Sequence, residues 1–208
     1  MPGSACLALG FGRYESPGKQ LPRPTQDATA LDLPFRRPIA VDAGVPIERY
    51  KDFFAGWQLG WGKPSPKCSV RQLPAPDSAL TYPGYRLIAS LHREGDSHCE
   101  FLSLEFDSSG RYFTGARHCD TAIRLRSEPH VTVRPMLRIF LDDGKWQDLG
   151  GTAFTVEDHF KSFASVFELP AESTLEAKPV GARVIYFLPP DVEFALDVAY
   201  VVQGFRHA

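Results

Sequence analysis

The feature that most constrains this chain is an alternation close to its C-terminal end. Val192, Phe194, Leu196, Val198, Tyr200 and Val202 fall on one side of an extended backbone, opposed by Glu193, Ala195, Asp197, Ala199 and Val201. Successive side chains of a strand point to opposite faces, so this period of two describes a half-buried strand, whereas a helix would scatter the same residues around its circumference. Shorter runs repeat the pattern at Leu87, Ala89 and Leu91 and again at Leu102, Leu104 and Phe106. Turn-forming residues separate such runs at Glu94-Gly95-Asp96-Ser97, Asp107-Ser108-Ser109-Gly110, Asp142-Asp143-Gly144-Lys145 and Pro189-Pro190-Asp191. Six or more strands joined by short turns predict a mainly β protein, an antiparallel β-sandwich or a jelly-roll-like barrel. At 208 residues and 43% apolar side chains, the chain can fill one such core.

Proline divides the chain. Twelve of the 18 prolines fall in residues 1–83, which carry ten basic and seven acidic residues, against thirteen and eighteen in residues 84–208. Proline fixes φ and removes a ladder donor, so residues 1–83 are expected to form a proline-rich arm and residues 84–208 an antiparallel β domain. Two short helices are expected. Ile47, Tyr50, Phe54 and Trp57 recur at helical spacing, which places one near 47–57. Thr155-Val156-Glu157-Asp158 offers a cap and early acids before Phe160, Phe163, Ala164 and Phe167, which places the other near 156–167.

The formal net charge of -2 argues against nucleic acid as a partner except through a local basic patch. The most apolar stretch, Phe194 to Val202, carries Asp197 and stops far short of the roughly 20 residues of a membrane helix, so no membrane association is expected. The first ten residues lack the basic and apolar regions of a secretory signal. Cys6, Cys68, Cys99 and Cys119 are sparse and form no CxxC pair, which fits reduced thiols in a cytoplasmic compartment.

His98-Cys99 and His118-Cys119 flank the turn at 107–110. A three-residue loop there would set Cys99 opposite Cys119 and Glu100 opposite His118, within reach of a disulfide or a Glu–His hydrogen bond. Alternation would aim the thiols and His118 at opposite faces, and two thiols are too few for structural zinc, so no metal site is assigned. Gly56-Trp57-Gln58-Leu59-Gly60-Trp61-Gly62 sets two indoles beside Lys63, either as a recognition surface or as the anchor of the arm on the sheet. Arginines recur at 117, 124, 126, 134 and 138, and Arg124 and Arg126 share a strand face suited to phosphate or an acidic partner. The candidate binding residues are therefore Trp57, Trp61, Lys63, Arg124 and Arg126. No GxSxG, P-loop, dinucleotide, HExxH or paired-carboxylate pattern appears, so no catalytic residue and no cofactor is assigned and the reading leans against an enzyme.

The surplus of apolar strand faces points to a non-enzymatic binding or assembly domain that engages a protein partner, or further copies of itself, through its arm, strand edges or loops. The alternative is an enzyme or small-ligand-binding β structure with a site near His98, Glu100, His118 and Asp120.

Overall fold

In a computed structural model the chain is described over residues 47–54, 56–74, 85–92, 99–108, 115–171, 174–175 and 177–207. Twelve strands follow in order: β1 (Asp52–Phe54), β2 (Trp57–Trp61), β3 (Lys67–Pro74), β4 (Tyr85–His92), β5 (Leu102–Ser108), β6 (Ala116–Glu128), β7 (Val131–Leu141), β8 (Trp146–Gly150), β9 (Phe154–Val156), β10 (Lys161–Glu168), β11 (Pro179–Leu188) and β12 (Phe194–His207). They form two antiparallel sheets. A seven-stranded sheet runs β1-β2-β5-β11-β7-β8, with β9 paired to β7, and a five-stranded sheet runs β10-β6-β12-β4-β3. The chain passes from one sheet to the other between β2 and β3, β4 and β5, β5 and β6, β6 and β7, β9 and β10, β10 and β11, and β11 and β12, giving the jelly-roll-like sandwich that the alternation predicts.

The core lies between the inner faces. Leu87, Ala89 and Leu91 of β4 face Leu102, Leu104 and Phe106 of β5, so both short alternating runs point inward. An aromatic line crosses the interior from Trp57 to Phe106 (ring centroids 5.0 Å), to Tyr186 (6.0 Å), to Phe154 (6.4 Å) and to Phe163 (4.2 Å, stacked). The buried Tyr186 hydroxyl meets Thr121 Oγ1 of the opposite sheet at 3.2 Å, which satisfies a polar group that burial alone would penalise.

Both expected helices are replaced by strands, and no α-helix occurs among the described residues. Near 47–57 the helical spacing comes from a turn and a hairpin: Tyr50 has φ +53°, and Gly56, at φ +78°, reverses the chain between β1 and β2. Near 156–167 the deciding pair is Phe163 and Phe167, four residues apart. That separation fits a helical turn, but it is also even, and both rings point into the core from β10.

Three further expectations change. Residues 52–74 pair into both sheets, β2 with β5 and β3 with β4, so they belong to the sandwich and not to an arm, while residues 1–46 lie outside the described residues. The segment after β5 does not close a hairpin on β6. β5 pairs with β2 and β11, whereas β6 pairs with β10 and β12, so Cys99 and Cys119 are not strand partners and Cys119 sits opposite Phe167 and Phe205. Finally, β12 does not keep one face throughout. Its register slips between Val198 and Tyr200, and beyond that bulge Val201 and Phe205 point inward, out of phase with Phe194, Leu196 and Val198.

Candidate functional site

Several residues singled out from the sequence are not at a surface. Trp57 and Trp61 point into the core at 0% and 5% exposure, so their indoles anchor β2. Lys63 is exposed in the turn after β2. Arg124 and Arg126 lie on the outer face of β6 beside the Phe160 ring, with Cζ atoms 6.0 and 5.0 Å from its centroid. Of the alternative constellation, His98 lies outside the described residues. Glu100 hydrogen-bonds through its N–H to Lys63 O (3.2 Å) ahead of β5, while His118 and Asp120 sit on the outer face of β6, where Asp120 accepts from Arg206 at 2.5 and 3.0 Å. Among the described ones, Glu100 thus leads into β5 of one sheet and His118 and Asp120 lie on β6 of the other.

The structure assembles a different array, on the outer face of the seven-stranded sheet. Alternation makes Gln58, Ser103, Glu105, Asp107 and Arg183 outward residues, yet Glu105 and Asp107 are only 4% and 5% exposed. Glu105 accepts hydrogen bonds from Gln58 Nε2 (3.0 Å), Ser103 Oγ (2.6 Å) and Arg183 Nη1 (3.3 Å), and Asp107 accepts from Arg183 Nε at 2.6 Å. Tyr50 closes one side. Its backbone N–H bonds to Leu59 O at 2.9 Å, and its ring lies over Gly60, where an added Cβ would stand 2.6 Å from the ring and from Ser103 Oγ and 2.7 Å from Glu105 Oε1. Glycine is required there by this close approach.

The next strands carry the array toward solvent. Asp107, Arg183, Arg138 and Asp148 are successive partners across β5, β11, β7 and β8. Two guanidiniums therefore stand side by side. Such a pair repels, and each is held by a carboxylate of its own. Arg138 donates to Asp148 as a two-pronged pair, Nε to Oδ1 at 2.7 Å and Nη2 to Oδ2 at 2.8 Å. One step along the strands, Phe140 and Trp146 are partners on the same face, with Arg183 Cζ 5.7 Å from the Phe140 ring and Arg138 Cζ 5.2 Å from the Trp146 ring. Both rings are half-buried, so they form a platform that is fixed but not covered.

Burial opposes charge on Arg183, but Asp107 and Glu105 outweigh it and raise its pKa; Arg138 is raised in the same way by Asp148. For Asp107 the balance falls the other way. Its burial outweighs the attraction of Arg183 and pushes the carboxyl above its ordinary value. Among the described residues, no group of three or more His, Cys, Asp or Glu side chains is placed to hold a metal ion.

No family of known sequences matches this chain, nor does any curated protein. Solved structures do resemble it. The enzymatically active domain of tailspike protein 4 of bacteriophage CBA120 superposes with a TM-score of 0.54 at 12% identity, over 73% of this chain and 20% of that one. The family 11 carbohydrate-binding module of a Clostridium thermocellum cellulosomal cellulase matches at 0.47 and 13% over 80% and 97% of the two chains. A xylan-binding domain from Paenibacillus barcinonensis matches at 0.47 and 10% over 83% and 99%. This chain thus spans a fifth of the tailspike chain, and what is shared is the sandwich fold.

The expectation of a protein-binding or assembly domain is corrected. Its basis was a surplus of apolar strand faces, and the two-sheet core consumes them: the exposed large apolar residues among those described are Val166 and Val180.

Sequence reasoning missed the array on the seven-stranded sheet, although one signal was present. The Asp142-Asp143-Gly144-Lys145 turn, with Gly144 at φ +81°, closes the β7–β8 hairpin. Its register alone sets Phe140 opposite Trp146 and Arg138 opposite Asp148.

Proposed function

We propose that the protein binds carbohydrate on the outer face of the seven-stranded sheet. A sugar ring has an apolar C–H face and a rim of hydroxyls, so it needs an aromatic platform beside planar hydrogen-bonding groups held in fixed orientation. The observation that carries this reading is the Phe140–Trp146 pair, half-exposed and one strand step from the two-pronged Arg138–Asp148 pair. The rings would take the C–H face. Asp148 and Arg138 would take neighbouring hydroxyls, and the buried Gln58–Glu105–Arg183–Asp107 cluster would hold Arg183 against them without rearrangement. This retains the small-ligand part of the alternative reading but moves the site to other residues.

The test is affinity electrophoresis of the full chain in gels containing soluble xylan, mixed-linkage β-glucan or hydroxyethylcellulose, followed by calorimetry with oligosaccharides of whichever retards it. Retardation by at least one polymer that Trp146→Ala abolishes, with an unchanged melting temperature, is the expected result. Failure of every neutral polymer and oligosaccharide to bind, or undiminished binding by Trp146→Ala, overturns the reading.

A further inference from the structure

The opposite face of the sandwich holds a second constellation. On outward positions of the five-stranded sheet, Glu128, Ala195, Ser90 and Ser69 are successive partners across β6, β12, β4 and β3. Ala195, Ser90 and Ser69 are small, so the sheet is hollow there, and a cavity of about 450 Å³ opens between Arg71, Glu128 and Glu193. Three strand spacings make the row about 14 Å long. The next row along the strands is Arg126, Asp197, Ile88 and Arg71, followed by Arg124 on β6.

Charge on this face is not evenly matched. Arg126 is paired with Asp197, which is 5% exposed, and Arg138, Arg183 and Arg206 each hold a carboxylate, whereas Arg71, which lines the hollow beside Glu128 and Glu193, holds none among the described residues. Arg124 is half-buried and holds none among the described residues: its contact is the Phe160 ring, and its Nε–H is buried without a hydrogen-bond partner. The acids next to Phe160 are engaged elsewhere, Glu157 with Lys161 at 2.6 Å and Asp158 with His159 at 3.1 Å. A guanidinium held on a strand, fixed by an aromatic ring and unmatched by an acid is suited to an external carboxylate.

We infer that this face is a second binding surface, separate from the Trp146 face, and that it takes a sugar bearing a carboxylate, a uronic acid unit. The carboxylate engages Arg124 and the exposed edge of Arg126, the ring lies against Phe160, and the hydroxyls of adjoining units reach Ser69, Ser90, Glu128 and Glu193 in the hollow. At the hollow Arg71 stands between two glutamates, whereas Arg124 and Arg126 form the end of the face that a carboxylate meets beside Phe160.

Oligogalacturonate and its carboxyl-reduced, neutral counterpart are titrated calorimetrically into the full chain, at low and at physiological salt. The wild type is expected to bind the acidic oligomer at least tenfold more tightly than the neutral one, with the difference shrinking as salt rises. Arg124→Gln and Phe160→Ala should each weaken it at least tenfold, with melting temperatures unchanged. Arg124→Lys should recover part of the affinity, and Trp146→Ala should leave it intact. Absence of binding to the acidic oligomer, equal affinity for both oligomers, or indifference to Arg124→Gln overturns the inference. Loss through Trp146→Ala alone also overturns it, by placing the acidic sugar on the other face. Neutral-polymer binding by the Trp146 face succeeds or fails independently of these results.

Discussion

Replacing Glu105 with Gln tests whether the buried array on the seven-stranded sheet is held by charge or only by shape. The side chain is 4% exposed and accepts three hydrogen bonds, one of them from the Arg183 guanidinium. Gln has the same volume, so no cavity term enters. It puts an NH₂ group in place of one carboxylate oxygen. On the Ser103 side that group is met, because the Ser103 hydroxyl turns to accept it and donates to Gly60 O at 3.4 Å, while the Gln carbonyl accepts from Gln58 and Arg183. What is lost is the charge, and losing a charge-assisted bond costs about 2 kcal/mol. Arg183 keeps Asp107 at 2.6 Å, which holds the loss below the 3–5 kcal/mol typical of breaking an isolated buried pair. The expected destabilisation is therefore about 2 kcal/mol, read as a lower urea midpoint at unchanged m-value. On a chain of this size it lowers the melting temperature by about 6 °C. A double-mutant cycle with Arg183→Met apportions it, since the coupling should account for most of the loss. Stability within about 0.5 kcal/mol of wild type would show that the cluster is organised by packing, and the electrostatic account of the face would fail.

Trp57→Ala empties the largest fully buried side chain and should cost about 4 kcal/mol, while glycan retardation measured well below the melting temperature stays unchanged; lost binding in a protein of wild-type stability would return Trp57 to the list of recognition residues. Asp107 has a raised pKa in the folded state, so its contribution to stability is full below the unfolded value of about 4 and is lost as pH rises through the folded value. The wild type should thus gain on Asp107→Asn as pH falls from 7 toward 4, and a loss on acidification would contradict the burial argument. Cys68 and Cys119 are pushed up to about 12 by burial and are free thiols, so iodoacetamide at pH 8 should label them only after denaturation. Rapid labelling of the native protein refutes that placement.

The sequence by itself determined the extended periodicity. Leu102, Leu104 and Phe106 share one face only on an extended backbone, and Gly144 behind two aspartates closes its hairpin from local turn chemistry. These properties are local, depending on backbone geometry over a few residues. Which strands pair is not local, and tertiary structure alone sent β5 and β6 into different sheets, separating Cys99 from Cys119. The same holds for the phase of β12: its alternation looks continuous on paper, but pairing with β6 inserts a bulge after Val198 and turns Val201 inward. Asp197 reads as a solvated outward residue, and so do Glu105 and Asp107. All three are buried because arginines from neighbouring strands lie against them, Arg126 on Asp197 and Arg183 on the other two. An alternating pattern tells which residues avoid the core; only the partners that folding supplies decide whether such a residue meets water or a guanidinium.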